Sequence, residues 1–234
     1  MASRFGTWFP YLLTGISVVV MCALGVWQLE RMVQKQQRLA SIAQKQSNGS
    51  LSLIEALSHS EPRDLQVNFQ GDVDSSKIML LDNQIHNKRI GFDVIAPVNT
   101  NVGWLLVNYG WVPAPDLTRS LPEVRLEPHT SAYSGVVTVP GHNPFIQNIY
   151  EGSSEYPVVI QEIAFDTLSQ RLGYSLLPFV IQLTTQDPVF VRDYQPVVMS
   201  PDKHLGYAVQ WFGLAIAAAA IGSFAISKKG RSND

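Results

Sequence analysis

The chain has 234 residues, a formal net charge of -2, 46% hydrophobic residues and 15% charged residues. So little charge produces no field that would gather a polyanion, and the sequence therefore excludes nucleic acid as a partner. The lone cysteine, Cys22, excludes an internal disulfide and any Cys-x-x-Cys redox or zinc site.

An apolar stretch from Trp8 to Leu29 predicts a first membrane-spanning helix after a short tail of residues 1–7. A helix rises about 1.5 Å per residue and a bilayer core is roughly 30 Å thick, so this stretch is long enough to cross once. A cleaved signal peptide is the alternative, because Arg4 gives the chain a basic start. The apolar region of a signal peptide is usually only about 7 to 15 residues long, and residues 25–28 lack a cleavage site of small residues. An uncleaved anchor is therefore favoured.

Residues 30–206 predict one domain, since this length is sufficient for one core and short for two. From Glu30 onward no Gly or Pro occurs until Gly49, so the membrane helix is expected to continue to about Ser47. Ser52 and Glu55 have the spacing of a capping box and predict a short helix.

Beyond Leu65 the sequence changes to short alternating or apolar runs separated by turn residues, which predicts strands. A hairpin tip at Asn99-Thr100-Asn101 and a longer polar connection at Asn87–Gly91 favour an antiparallel meander. Pro113 and Pro115 end its fourth strand, because proline cannot donate to a ladder. The predicted strands are 66–70, 78–81, 92–98, 104–112, 133–139, 158–161 and 179–183, with a loop at 119–129 and a helix at Phe165–Leu172 closed by Gly173.

A second apolar stretch from Tyr207 to Ile226 predicts a second membrane-spanning helix, followed by a basic tail of residues 227–234. A soluble helix as uniformly apolar as Leu214–Ile221 would need a large core, which this chain does not supply. The predicted fold class is therefore α+β: N- and C-terminal transmembrane helices enclose one strand-dominated antiparallel extracytoplasmic domain with a few short helices.

Charge near the two crossings predicts which side of the membrane holds the domain. Lys228, Lys229 and Arg231 follow the second crossing and place the C-terminus in the cytoplasm. Basic residues after the first crossing, such as Arg31, favour the opposite orientation, but a helix that continues from the membrane holds such side chains at lipid headgroups. Residues 30–206 are therefore expected outside the cytoplasm.

The domain carries no motif of an enzyme. Gly-x-Ser-x-Gly, phosphate-loop and dinucleotide motifs are all absent. No two histidines stand at i, i+2 or i, i+4, and none has an acidic partner at metal-site spacing, so no zinc or copper site is predicted. The five histidines are His59, His86, His129, His142 and His204. The protein is therefore expected not to be an enzyme.

Polar and aromatic residues near the membrane surfaces are the distinctive features that remain. Trp27 and Arg31, at i and i+4, share one helix face. They either contribute to a functional site or form an interfacial belt that fixes the height of the helix in the membrane, and the sequence favours neither. Gln28 and Gln210 lie in apolar spans, where an amide needs an internal partner such as the other helix, a protein subunit or a cofactor. A stripe of small residues on which another helix can lie is predicted at Gly206, Gly213, Ala217 and Ala220 or Ile221.

Four segments with distinctive residues follow one another along the chain: Leu24–Arg31 (LGVWQLER), Leu81–Gln84 (LDNQ), Leu106–Pro113 (LVNYGWVP) and His204–Phe212 (HLGYAVQWF). In content and in order they resemble the successive signatures of the surfeit-locus family, and the resemblance covers nearly the whole chain. The sequence departs from that pattern at Tyr109, where a basic residue is usual, and at Gln34-Lys35, where a Trp-Lys pair is usual.

The resemblance implies an assembly factor for haem-copper cytochrome c oxidase that assists delivery or insertion of haem a into the largest subunit. Its implied partners are that subunit and other oxidase assembly factors, besides the lipid bilayer. The absence of an Arg-rich transit segment favours a bacterial member in the cytoplasmic (inner) membrane, with its main domain in the periplasm. The oligomeric state stays open, and a homo-oligomer is one alternative.

The resemblance also favours His204 as an axial ligand of haem iron, whereas the residues alone favour a histidine that caps a helix or binds headgroups. The expected haem site comprises His204, Tyr207, Gln210, Trp211, Gln28, Trp27 and Arg31. Partner docking is expected at Asn108, Gly110 and Trp111, although a strand bulge at Gly110 and a core anchor at Trp111 are the favoured explanations of the last two.

Two other classes of function compete with a haem carrier. One is a membrane scaffold that stabilises an oxidase intermediate without binding haem. The other is a membrane-tethered sensor domain, which is disfavoured because the predicted tails, 1–7 and 227–234, are too short for a cytoplasmic output module.

Overall fold

The computed structural model describes residues 5–116, 120–127, 130–146, 149–151, 155–194, 196 and 199–231. The chain forms two compact units, one of Met1–Ser41 with Val197–Asp234 and the other of Ile42–Pro196. We refer to them as the helical unit and the strand unit.

The helices are α1 (Phe5–Ser47), α2 (Leu53–Ser58), α3 (Phe165–Leu172) and α4 (Pro201–Arg231). The strands are β1 (Gln66–Val73), β2 (Met79–His86), β3 (Arg89–Thr100), β4 (Gly103–Pro113), β5 (Thr130–Thr138), β6 (Tyr150–Glu151), β7 (Val158–Ile160) and β8 (Leu176–Leu183). A 3-10 turn covers Ser75–Lys77.

The helical unit consists of the N-terminal part of α1 and the whole of α4. Both helices contain segments long and apolar enough to cross a membrane, Trp8–Ser47 and Pro201–Ala225. The first segment contains the predicted span of residues 8–29, and the second covers the predicted span of residues 207–226 as far as Ala225. Helix α1 continues without interruption to Ser47 as predicted.

The two helices pack closely where small residues remove side-chain bulk. A Cβ atom at Gly25 would lie 2.7 Å from the ring of Phe212, and one at Gly222 would lie 2.5 Å from Thr14. These pairs run in opposite directions along the two helices, so α1 and α4 are antiparallel. Lipid tails are as apolar as the helix surfaces, so close packing of this kind is a main source of association between membrane helices.

The predicted stripe of small residues lies on a face of α4 that does not meet α1, so contact of the stripe with another helix stays a prediction. No described residue lies within 4 Å of a Cβ atom at Gly206 or Gly213. Ala208 and Ala215 are buried, and Gly222 approaches Thr14 of α1. Ala208, Ala215 and Gly222 stand seven residues apart, as do Gly206 and Gly213, and the two sets are two positions out of phase. Spacing alone therefore did not identify the face that meets α1.

Five strands of the strand unit close into a barrel. They pair in the order β1-β5-β8-β4-β3, and a second pairing of β3 with β1, between Val98–Thr100 and Gly71–Val73, closes the ring. Strands β2, β7 and β6 extend the sheet from the other end of β3. Alternate side chains of β4 lie in two hydrophobic cores. Leu105 and Val107 belong to the first, and Leu106 belongs to the second, which also contains residues of α3.

The prediction of an α+β fold is confirmed, and β2, β3 and β4 form the expected antiparallel meander. The sheet as a whole is mixed rather than antiparallel, because β8 pairs with β4 and β7 pairs with β2 in parallel. Parallel neighbours need long crossover connections, and the long chain segments between these strands, one of which contains α3, provide them. The two-residue strand β6 was not predicted.

Local signals predicted several boundaries correctly. Ser52 and Glu55 form the capping box that begins α2, and α3 has the predicted bounds with Gly173 in the left-handed conformation (φ 83°). Residues 120–127 contain no helix or strand, as expected of a loop. The other residues of the predicted loop, Arg119, Pro128 and His129, lie outside the described residues.

The connection between β2 and β3 is shorter than predicted. A two-residue turn, Asn87-Lys88, replaces the expected polar connection of residues 87–91. Both turn residues have positive φ, 48° and 64°, as a type I′ hairpin requires. Lysine is an unusual residue for this backbone, so the sequence lacks the Asn-Gly signal that identifies such turns.

A bulge in β4 explains Gly110. Val94 and Ile95 of β3 pair with Gly110 and Asn108, which leaves Tyr109 as the extra residue. Gly110 has a φ of 123°, and a Cβ atom there would lie 2.8 Å from the carbonyl oxygen of Val191. The bulge and the close backbone approach expected of this glycine are both present.

Substitution Gly110→Ala should destabilise the strand unit by about 1–3 kcal/mol, because alanine disfavours this backbone conformation and its methyl group would press on Val191. Urea unfolding of the purified protein in detergent, followed by near-ultraviolet circular dichroism, measures the change. Gly141→Ala is the matched control, since Gly141 has negative or extended φ and no described residue lies within 4 Å of its Cβ position. Equal midpoints for both variants would contradict the account of the bulge.

Substitution Gly25→Leu should weaken the α1–α4 pair by about 1–3 kcal/mol, because the new side chain collides with the Phe212 ring. Unfolding in an SDS titration measures the loss. Gly15→Leu is the control on the same helix, since nothing lies within 4 Å of its Cβ position. If both variants unfold at the same SDS fraction, the close contact at Gly25 does not hold the pair together.

Candidate functional site

His204 lies in the first turn of α4 and is 7% exposed. Its Nδ1 atom is 2.8 Å from Oε1 of Gln28 on α1. Gln28 follows Gly25 by three positions, so the close approach to Phe212 and the hydrogen bond to His204 belong to one face of α1. Gln28 and His204 were predicted as members of one haem site, and the structure brings their side chains into contact.

The second ring nitrogen of His204 is the unusual atom of this pair. Nε2 is buried and has no hydrogen-bond partner within the described part of the chain. Most buried polar atoms in proteins are paired, so an unpaired one needs an explanation in strain, in function or in a missing ligand. An imidazole nitrogen held in this way has the donor chemistry of a haem-iron ligand.

The other predicted members of the haem site are only partly brought together. Trp211 is half-buried and, at seven residues from His204, lies near its face of α4. Tyr207 is 46% exposed and Gln210 is exposed, so both point away from the α1 contact. Gln210 therefore does not meet His204.

Trp27 and Arg31 form a pair on the exposed side of α1. The Arg31 guanidinium lies 6.0 Å from the centre of the Trp27 ring and donates to Oε1 of Gln34 at 3.0 Å. Trp27 is 49% exposed, and Arg31 is exposed as well. The shared face predicted from their spacing is confirmed, whereas a role in binding haem stays a prediction.

The three residues expected to dock a partner are buried in the strand unit. Asn108 donates to Asp93 Oδ2 at 2.8 Å, and its own side-chain oxygen accepts the Gly110 N–H at 2.9 Å. Burial raises the pKa of Asp93, and the hydrogen bond from Asn108 partly offsets this rise. Asn108 thus pairs the polar groups at the bulge, which is a role in folding.

Trp111 joins two of the signature segments. Its ring is 7% exposed, and its Nε1–H donates to the carbonyl of Gln84 at 3.2 Å, while the His86 ring packs at 5.4 Å. Gln84 belongs to the LDNQ segment, where Asn83 has a φ of 60° at an irregularity between β2 and β3. The LDNQ and LVNYGWVP segments therefore meet in space and share a structural role, and docking by these residues stays a prediction.

An arginine that sequence analysis did not select holds the chain after β8 against the bulge. Arg192 donates from Nε to the Tyr109 carbonyl at 2.7 Å and from Nη1 to the Thr185 carbonyl at 2.6 Å, and Nη2 lies 3.2 Å from Asp187. Burial lowers the pKa of Arg192, and Asp187 partly offsets this effect. No motif in the sequence marks Arg192, because its partners are mainly backbone carbonyls.

A cavity of about 330 Å³ lies beside Arg192. Tyr109 and Tyr133, whose hydroxyls are 3.0 Å apart, form part of its wall. Burial and the bond to Tyr133 raise the pKa of Tyr109. The hydroxyls of Tyr109 and Tyr133 are therefore paired with each other in the cavity wall. Among the described residues, no group of three or more His, Cys, Asp or Glu side chains is placed to hold a metal ion.

Comparison with known proteins identifies the family. The model of the SURF1 family matches residues 15–216, a range that includes both Gln28 and His204 and the signature segments of the strand unit. A search of curated proteins found no match. Members of the SURF1 family are membrane-associated assembly factors for cytochrome c oxidase, and it is not a family of enzymes. The match covers most of the chain, and we conclude that the protein belongs to the SURF1 family.

Proposed function

We propose that this protein carries haem a during assembly of cytochrome c oxidase and assists its insertion into the largest subunit. The observation that supports this proposal is the buried Nε2 of His204, which has no partner within the described part of the chain. Haem is the cargo of the protein, and His204 is the residue that would bind its iron. Other assembly factors and the largest subunit are the proposed partners.

The chemistry of the helix pair fits this cargo. Histidine is a common axial ligand of haem iron, and apolar helix surface suits the macrocycle. Tyr207 and Trp211 follow His204 at three and seven positions and supply aromatic surface near it. Nε2 is enclosed, so the iron can reach it only when the packing around His204 shifts.

Exposed polar groups of the helical unit supply secondary contacts in this proposal. Gln210 and Arg31 are both exposed and offer an amide and a cation to polar substituents of the haem. Trp27, below the Arg31 guanidinium, offers an aromatic face. These contacts rank below His204, because the structure brings neither Gln210 nor Arg31 to it.

We propose that the protein lies in the cytoplasmic membrane of a bacterium with its strand unit in the periplasm. The basic residues after the second apolar segment support a cytoplasmic C-terminus. Both apolar helices would then cross the membrane, and haem would be held near its outer surface, where α4 begins.

A scaffold that stabilises an oxidase intermediate without touching haem is the second candidate. The enclosure of Nε2 favours it, since a histidine packed between two helices can serve their association alone. The bond to Gln28 would then be a cross-helix contact, as is common between membrane helices.

Purification from cells that make haem a tests the carrier. The wild-type protein should contain haem in its optical spectrum, and His204→Ala should lose most of it because the axial ligand is gone. His59→Ala is the control, since His59 is an exposed histidine whose Nδ1 only accepts a local backbone bond. Haem should persist when the oxidase subunits are deleted. Absence of haem from the wild type, or an unchanged spectrum in His204→Ala, would favour the scaffold.

The substitution Trp111→Phe tests whether Trp111 serves the folding of the strand unit or the docking of a partner. Losing the bond to Gln84 should cost about 0.5–1.5 kcal/mol and lower the amount of protein. Oxidase activity should fall in proportion to that amount, as measured by immunoblot and oxygen consumption. Trp104→Phe is the control on the same strand, outside the signature. A loss of activity per molecule that is specific to Trp111→Phe would support docking instead.

A further inference from the structure

The partner of His204 is an uncharged amide. Oε1 of Gln28 lies 2.8 Å from Nδ1, and Gln28 comes from the opposite helix of the pair. With the amide oriented in this way its oxygen accepts a hydrogen bond, so Nδ1 carries the proton. A neutral imidazole has a single N–H, which leaves the lone pair on Nε2.

This arrangement prepares the correct nitrogen for iron. Histidine ligands of metals commonly donate their second ring N–H to a carboxylate, a carbonyl or water, and this bond fixes both the tautomer and the ring orientation. A neutral histidine in water prefers to carry its proton on Nε2, the opposite of what ligation through Nε2 requires. The Gln28 contact reverses that preference before any haem arrives.

The neutrality of Gln28 also affects the strength of ligation. A carboxylate that accepts from Nδ1–H makes the imidazole more basic and strengthens its bond to a metal. An amide oxygen carries only a partial charge and raises basicity less. A carrier must release its haem, and a histidine supported by an amide suits release better than one supported by a carboxylate.

We propose that Gln28 is a positioning residue that holds His204 as the Nδ1–H tautomer, with the lone pair of Nε2 available for haem iron. The statement about the tautomer concerns the protein without haem. The statement about iron rests on the proposed function.

The tautomer is tested in the full-length protein without haem. Nitrogen-15 NMR of protein labelled at histidine reports which ring nitrogen carries the proton, and the His204→Ala spectrum assigns the signal among the five histidines. We expect the Nδ1–H form in the wild type and its loss in Gln28→Met, which keeps a side chain of similar length without the acceptor. An Nε2–H form in the wild type would overturn the proposal, since the Gln28 amide would then donate to Nδ1.

The consequence for haem is tested by reconstitution with haem a. Gln28→Met should bind haem roughly 10–100-fold more weakly, the usual effect of removing the partner of a metal-bound histidine. The reduction potential of the remaining bound haem should rise, because the imidazole donates less electron density. Gln28→Asn should behave like Gln28→Met, since its shorter side chain keeps the amide but loses the reach.

Gln37→Met is the matched control, because Gln37 is an exposed amide of the same helix that lies outside the proposed haem site. Its haem affinity and reduction potential should equal those of the wild type. An unchanged potential in Gln28→Met would overturn the positioning role. If the wild type has the Nδ1–H tautomer but binds no haem, the proposed function fails while the assignment of the tautomer stands.

Discussion

The close approach of α1 and α4 at Gly25 is the contact on which the candidate site depends. The ring of Phe212 occupies the space that a side chain at position 25 would fill. One turn along the same face, this proximity lets the short amide of Gln28 reach His204. Association in a lipid environment relies on such packing and on polar contacts, because burying apolar surface gains little there. Glycine and glutamine therefore act together, the first by bringing the helices close and the second by joining them through a hydrogen bond.

The strand unit has a comparable constraint at the bulge of β4. Tyr109 is the extra residue, Asn108 pairs the polar groups beside it, and Arg192 binds its carbonyl. The bulge lies next to Trp111, which binds the LDNQ segment through Gln84. Two signatures that are far apart in sequence thus describe one structural feature. Backbone geometry and buried hydrogen bonds give Asn108, Gly110 and Trp111 a structural role, while docking of a partner by these residues stays a prediction.

Local signals predicted the structure where the determinants are close in sequence. The Ser52 and Glu55 capping box and the glycine that ends α3 act within a few residues, so they were visible. The parallel pairings of β7 and β8 depend on distant segments and were not visible. His204 and Gln28 were each selected as candidates, but their contact depends on which face of α4 meets α1. The two sets of small residues on α4 have the same spacing, so spacing does not show which of them faces α1. Only the contacts of α4 with Gly25 and Thr14 show it.

The enclosure of Nε2 links the packing of the helices to the proposed binding of haem. For iron to bind there, atoms of the helix pair must move away, and the free energy of the lost packing is subtracted from that of the iron bond. Because the packing closes over Nε2, haem should bind more weakly and dissociate more easily than it would from an exposed histidine. The Gln28 bond can survive this change, because it uses Nδ1 and leaves Nε2 to the iron. In the carrier proposal, close helix packing and a preset tautomer thus have opposite effects, the first favouring release and the second favouring capture.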